Sequence, residues 1–401
     1  MATDVSFRTG KPVGDARRTL VFSGLAHALH DGYTDAVYVL LPVWRVEFGL
    51  DFVALALLRG LYAGAMAAFQ LPATRLADRI GGRPLLILGT LVAAGGYAVA
   101  GFAGGILALY AALVVSGIGS SVQHPIASGA VSRAYGAAAR GPLGTYNFAG
   151  DLGKAAIPAA LSFALSVAPW RPSLWLLSLL GFFVAGVLAF GFPPIPSACA
   201  TEPADKTRAG RSRGGFGLLF CIGMLDTSVR MGLLTFLPFL LQMKGATQPV
   251  IGTAMALVFL GGAAGKFVCG WLGQRWGVVG VTLITEGATA VFIVGTVVLP
   301  LVPLLVVLPL LGMMLNGTSS VLYGTVPDLT VAERTERAFA LFYTGVIGSG
   351  ALSPLLFGVL GDHAGPVVAT IATAVTALAI LPLAVALGRR LAKNKVPVEA
   401  A

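Results

Sequence analysis

Apolar stretches, each close to the length that crosses a lipid bilayer, follow one another along this chain with only short polar turns between them. Crossing about 30 Å of hydrocarbon at about 1.5 Å per residue takes roughly 20 mainly apolar residues in a helix. By that measure the 401 residues divide into segments at 19–44, 53–73, 84–104, 106–128, 142–167, 172–193, 215–241, 250–272, 279–298, 300–324, 340–360 and 366–388. Only 11% of residues are charged, against about 25% in a typical soluble domain, so the chain lacks the charge to wet a water-facing shell. The pattern predicts an all-α membrane protein with twelve transmembrane helices, and the lipid bilayer as its main partner.

The net charge of +10 does not point to nucleic acid, because Lys and Arg sit in short runs between apolar stretches and form no basic face. Those runs set the topology instead, since cytoplasmic loops carry an excess of Lys and Arg. With both termini cytoplasmic, 20 of the 27 basic residues fall on that side, and only Arg45, Arg171 and Lys244 fall outside. A multi-pass inner-membrane protein is expected. Cys199, Cys221 and Cys269 are widely spaced, which fits packing residues better than a disulfide framework. The first 18 residues are polar and lead into an apolar stretch too long for a signal-peptide core, so that stretch is expected to be retained.

The longest polar interruption, 194–214, reads as a cytoplasmic linker between an N-terminal six-helix bundle (1–193) and a C-terminal one (215–401). The halves resemble one another. Leu41-Pro42 recurs as Leu237-Pro238, and Leu76-Ala77-Asp78-Arg79-Ile80-Gly81 as Leu272-Gly273-Gln274-Arg275-Trp276-Gly277, both at an offset of 196. Ser120-Ser121-Val122 recurs as Ser319-Ser320-Val321, Arg140 maps to Arg337, and Pro158 to Pro354. Two similar bundles can rock about a central site and expose it to each side in turn.

These features resemble the major facilitator superfamily over nearly the whole chain. The loop Leu76 to Arg83 is similar to the superfamily's signature loop, with Thr74 in place of its leading Gly and Gln274 in place of Asp in the second copy. The resemblance implies a conformational latch made by Asp78, Arg79, Arg83 and Arg275. Within the superfamily the chain looks most like the fosmidomycin-resistance group of bacterial efflux proteins. That likeness is carried by His27-Ala28-Leu29-His30-Asp31, Leu40-Leu41-Pro42, Gln70 with Pro72, and Gly117 through Pro125 including His124. The group usually has Asn at the position of His30. It also has an uncharged Gly-Asn-Leu-Gly stretch where this chain reads Gly150-Asp151-Leu152-Gly153-Lys154. Gly150, Gly153 and Pro158 loosely match the antiporter motif of the fifth helix.

An ionisable side chain at the bilayer centre costs roughly 2.5–3.5 kcal/mol on insertion scales, so each one calls for a partner, a wet cavity or a function. His27, Asp31 and Asp35 fall at i, i+4 and i+8 on one face of the first segment, with Asp31 near mid-membrane and His30 on an adjacent face. A proton-coupling site at Asp31, tuned by His27 and Asp35, is expected; a polar network that only locks packing is the alternative. Asp151 with Lys154, and Asp226 with Arg230, have the spacing of intrahelical ion pairs. Either cation could instead exchange its Asp for an anionic substrate. His30, His124, Asn147, Tyr146, Asn316 and Tyr343 complete the candidate pathway. Lys266 and Glu286, near the cytoplasmic ends of their segments, and Arg59, on the outer side, are expected to snorkel.

No Walker-type loop and no metal-ligand spacing is present, so neither ATP, a metal nor another cofactor is expected. The expected function is secondary transport by a monomer, with a small-molecule substrate and protons as its ligands: proton-coupled export of a small drug-like or anionic compound. Import of an organic anion or a metal chelate is the alternative, and a membrane-embedded enzyme or a non-transporting receptor are the readings from other classes.

Overall fold

The computed structural model describes residues 13–195, 215–330 and 335–395. Among these residues the chain is helical with short connections: α1 (Val13–Phe48), α2 (Phe52–Ile80), α3 (Gly82–Gly101), α4 (Ile106–Ser120), α5 (Gln123–Tyr135), α6 (Arg140–Val167), α7 (Trp170–Gly191), α8 (Phe216–Met243), α9 (Gln248–Val298), α10 (Leu301–Thr325) and α11 (Thr335–Lys395). The expected linker at 194–214 falls almost wholly outside the described residues, as does Cys199. Of the other two cysteines, Cys269 is buried as a packing residue and Cys221 is exposed.

Nine helical stretches among the described residues are long and apolar enough to cross a membrane. The chain is a membrane protein with multiple spanning helices. α1 carries more charge along its length and is not among the nine. α9 and α11 run for 51 and 61 residues, far beyond the roughly 20 that one crossing takes, and each breaks at a glycine. Gly277 has φ 68° and Gly365 has φ 87°, in the left-handed region that side chains disfavour. Gly81 turns the chain between α2 and α3 with φ 91°, and Gly277 repeats that turn 196 residues later.

α1 to α7 pack together, as do α8 to α11. The two sets meet where α6 faces α9, α11 faces α2 and α1 faces α8. Small residues make close approaches possible. A Cβ on Gly96 would meet Ser116, one on Gly119 would meet the Ala93 backbone, and one on Gly261 would meet the Pro309 carbonyl. The expected fourth segment is interrupted at Ser121 and Val122, where α4 ends and α5 begins just ahead of His124 and Pro125.

The two ends of the molecule differ. At the end holding the α1–α2 turn, the halves are bolted together. Asp362 accepts the first backbone N–H groups of α2, from Phe52 at 2.6 Å and Val53 at 3.1 Å. Gln248 donates to the Val39 carbonyl at 2.9 Å, and Phe52 packs against Phe236 and Phe239. At the opposite end a cavity of about 950 Å³ lies between Arg140 of α6 and Gln274, Ser320, Asp328 and Leu391 of the second half.

Candidate functional site

α1 and α6 pack closely, and two glycines explain it. A Cβ at Gly150 would lie 2.6 Å from His27 Nε2 and 2.8 Å from Asp31 Oδ2, and one at Gly153 would strike the Ala28 carbonyl. Both glycines, which loosely match an antiporter motif, therefore have a packing reason to be there. They let α6 press its backbone onto the charged face of α1.

That face gathers the expected residues. Asp31 is 7% exposed and receives three cationic or imidazole groups: His27 Nε2 at 3.1 Å, Lys154 Nζ at 3.2 Å and His124 Nε2 at 3.5 Å. His27 also stacks on the Tyr146 ring, whose hydroxyl accepts from Gln123 at 2.9 Å. The proton inventory follows from the acceptors. His27 Nδ1 lies 2.9 Å from the Tyr146 carbonyl, which can only accept, so Nδ1 carries a hydrogen. Nε2 then faces a carboxylate oxygen, and that contact is attractive only with a further proton between them. The His27–Asp31 pair thus holds one exchangeable proton, on the imidazole or on the carboxyl group.

The expected Asp151–Lys154 pair is present but is not the shortest contact of either residue. Lys154 lies 3.8 Å from Asp151 and closer to Asp31. Asp151 is bound more tightly by Lys266, whose Nζ lies 2.6 and 2.7 Å from its two oxygens. Lys266 does not snorkel. The depth of Asp151 in the α6–α9 seam draws it inward, across from the other half. Glu286, also expected to snorkel, is 2% exposed and packs against Asp226. Arg59 is 6% exposed, 3.8 Å from Asp35 and over the Tyr38 ring, because the Asp35 carboxylate offers a buried partner that lipid does not.

Arg230 lacks the Asp226 ion pair that its spacing suggests. Among the described residues no carboxylate lies within 4.0 Å of it, whereas Arg59, Lys154 and Lys266 each have one. Its guanidinium makes two long contacts to neutral oxygens, Asn316 Oδ1 at 3.4 Å and Thr227 Oγ1 at 3.5 Å, and its Nε is buried with no partner. Asn316 is held in turn by donating to the Gly312 carbonyl at 3.1 Å.

Other expected residues lie further out. His30 is buried between Ser120 and Thr90, each at 3.1 Å, within the first half. Asn147 is exposed, and Tyr343 is 40% exposed beside the Tyr323 ring. In the latch region Asp78 and Arg79 are exposed, Arg83 donates to the Ala189 carbonyl at 2.5 Å, and Arg275 stacks on Trp271. His27, Asp31 and His124 bring three ligand atoms within 4.8 Å of one another, as a metal site would. Lys154 stands 3.2 Å from the same carboxylate, so a cation there would meet a fixed positive charge. The donor set does not fit a resident metal.

Sequence reasoning assigned no direct role to Lys266 or Glu286, although the repeat carried a signal for both. At the offset of 196 Lys266 is the counterpart of Gln70, already singled out, and Glu286 is the counterpart of Thr90, which contacts His30.

Comparison with known proteins accords with this geometry. The family model described as Major Facilitator Superfamily matches residues 23–220 and again 218–401. The probable sulfoacetate transporter SauU of Cupriavidus necator is 26% identical over 362 residues, covering 82% of this chain and 83% of that protein. Human monocarboxylate transporter 11 is 27% identical over 315 residues, covering 72% of this chain and 65% of that protein. Among solved structures, a bacterial homologue of the human lysosomal transporter Spinster, in an inward-facing and unoccupied conformation, superposes with a TM-score of 0.78 at 17% identity. That match covers 97% of this chain and all of the other. The nucleoside transporter NupG gives 0.76 at 12% identity, covering 93% and 99%.

Proposed function

We propose, from the premise that this chain belongs to the Major Facilitator Superfamily, that it is a proton-coupled secondary transporter of small organic anions. One observation carries the choice of substrate. Arg230 is the embedded cation without a carboxylate partner among the described residues, and a guanidinium pairs well with carboxylate or sulfonate oxygens. The printed names of two relatives, for sulfoacetate and for monocarboxylates, support the same class.

In this reading the breaks at Gly277 and Gly365 separate spans, and with α1 they bring the total to twelve, in two pseudo-symmetric six-helix bundles. With both termini on the cytoplasmic side of the inner membrane, the Asp362 end faces out and the 950 Å³ cavity opens inward. This state exchanges substrate with that side, and Arg230 and Asn316 from one half with Lys154 from the other make the anion-binding contacts. The exchangeable proton of His27–Asp31 couples the cycle: while it is present Asp31 is neutralised locally, and its loss tightens the hold of Asp31 on Lys154. The Asp151–Lys266 pair joins the halves across the α6–α9 seam and must be broken or rearranged when they separate at that level.

The second reading is export of a small drug-like compound, supported by the likeness of His27 to Asp31 and Gly117 to Pro125 to the fosmidomycin-resistance group. Two assays separate the readings. Sulfoacetate and lactate binding to the purified chain, lost in Arg230→Gln, supports the anion. Resistance to a drug on overexpression, with no anion bound, supports export.

A further inference from the structure

Along the α6–α9 seam a groove of about 530 Å³ lies between the two halves. Gly144, Thr145 and Phe148 of α6 line one side and Phe267 of α9 the other, with the two rings 6.4 Å apart. Phe148 is 40% exposed and Phe267 63%, within helices long and apolar enough to cross a bilayer, so lipid is what these rings meet. A Cβ added at Gly144 would have nothing within 4 Å. Phe148 lies one turn before Asp151 and Phe267 follows Lys266, which places the groove beside the ion pair that joins the halves.

Each wall of the groove leads to an arginine. The two helices run antiparallel here: Arg140 adjoins the turn at Gln274, Asp151 pairs with Lys266, and Ser162 donates to the Gln248 carbonyl. Arg140 lies eight residues before Phe148 on α6, and Arg275 eight residues after Phe267 on α9. At about 1.5 Å per residue both arginines therefore stand about 12 Å from the ring pair, toward the same end. Both are exposed, and among the described residues no carboxylate lies within 4.0 Å of either. Arg275 stacks one face on Trp271 at 4.3 Å, which leaves the donors on its edge available. Trp271 is itself 53% exposed, as a ring at the level of lipid headgroups would be. The acid at this end, Asp328, lines the inner cavity and not the groove.

An apolar trough that ends between two unpaired guanidinium groups matches a phospholipid with an anionic head. The acyl chain has the trough, and the phosphate oxygens have paired N–H donors. Basic pockets between spanning helices bind such headgroups. A second copy of the chain fits less well, because a protein seated on both walls would tie together two halves that must move.

We propose that the α6–α9 seam is a binding site for one anionic phospholipid, with its phosphate on Arg140 and Arg275 and an acyl chain against Gly144, Phe148 and Phe267, and that its occupancy favours the state seen here. The second clause follows from position. The lipid touches both halves, so its affinity changes when α6 moves against α9, and a ligand shifts an equilibrium by its difference in affinity for the two states. The site rests on the halves moving and is independent of which solute is carried.

The test places the full-length chain in phosphatidylcholine nanodiscs. A small share of phosphatidylglycerol or phosphatidylcholine, brominated in the acyl chains to quench nearby tryptophan, is then added. The part of the quenching that Trp271→Phe removes reports the groove. In the wild type that part is expected to be several-fold stronger with the brominated phosphatidylglycerol. Arg140→Gln with Arg275→Gln is expected to abolish the preference, and inorganic phosphate added as a competitor to leave it in place. Gly144→Leu fills the groove with both arginines intact and is expected to weaken the quenching itself. Equal quenching by the two lipids in the wild type means an ordinary lipid annulus and overturns the site. A preference that survives in the double arginine variant, or that inorganic phosphate removes, overturns it too. Undiminished quenching in Gly144→Leu overturns the placing of the chain. The effect on state is read from labelling of a cysteine introduced at Ala351, beside Gly60 at the closed end, after subtracting the chain's own cysteines. Labelling is expected to be several-fold slower in phosphatidylglycerol than in phosphatidylcholine, with the difference lost in the double arginine variant. Equal rates in the two lipids overturn the effect on state, while the quenching still decides the site.

Discussion

Lys266 Nζ lies 2.6 and 2.7 Å from the two carboxylate oxygens of Asp151, so a single ion pair joins α9 to α6 across the seam between the two halves. Lys154, one turn along α6, reaches Asp151 only at 3.8 Å and Asp31 at 3.2 Å. The seam therefore holds a chain of alternating charges, Lys266, Asp151, Lys154 and Asp31, in which moving one member changes the partners of the next.

Removing one end of that chain should cost more than removing both members of the pair. Lys266→Ala leaves the buried Asp151 with only the longer contact to Lys154 at 3.8 Å, and breaking a fully buried pair costs roughly 3–5 kcal/mol. The loss here is expected to be smaller, because the Lys266 side chain is 34% exposed and water can reach it. Thermal unfolding in detergent should show a lowered midpoint for Lys266→Ala that Lys266→Ala with Asp151→Ala partly restores. Equal losses would show that the pair contributes nothing.

The α1–α6 contact offers a steric test. Gly150→Ala places a methyl group 2.6 Å from His27 Nε2, so the imidazole must leave Asp31 or the helices must part. Transport is expected to fall by an order of magnitude or more, on the scale of a 1.4 kcal/mol or larger penalty. Gly141→Ala, on the same helix with open space around it, should leave transport unchanged.

How much of this was legible in the sequence depended on whether the physics was local. Segment length and charge scarcity gave the spanning helices, and the offset of 196 gave the turn shared by Gly81 and Gly277. His27 and Asp31 met across one turn of α1 as their spacing implied, whereas the approach of Lys154 to Asp31 was not foreseen. The Asp151–Lys154 pair followed from spacing, at 3.8 Å, but two other partners did not. Asp226 and Arg230 sit at i and i+4, yet the acid turned to Glu286 on α9, and Lys266 left the expected snorkelling position for Asp151 on α6. Helical spacing shows which residues can meet on one helix. It carries no information about a better partner on another.

The end of the molecule holding the α1–α2 turn should respond to Asp362. Its carboxylate holds the Phe52 and Val53 N–H groups at the start of α2, a contact between the halves. Asp362→Ala removes both bonds and should shift the population toward a state open at that end. Labelling of a cysteine introduced at Ala351, which faces Gly60 of α2 across the same junction, should then speed up several-fold. Unchanged labelling would mean that the contact does not hold this end shut.

Asp31 separates coupling from movement. In Asp31→Asn, accumulation driven by a pH gradient should be lost while exchange of substrate for substrate continues. A variant that still accumulates substrate would place the coupling proton elsewhere.

Flux through Arg230 tests the whole account most directly. Proteoliposomes holding the wild type, given an acidic exterior, are expected to accumulate labelled sulfoacetate or lactate above its outside concentration, and those holding Arg230→Gln to accumulate none. Equal accumulation by both proteins, or none by the wild type with either anion, would contradict a proton-coupled carrier built around an unpaired guanidinium.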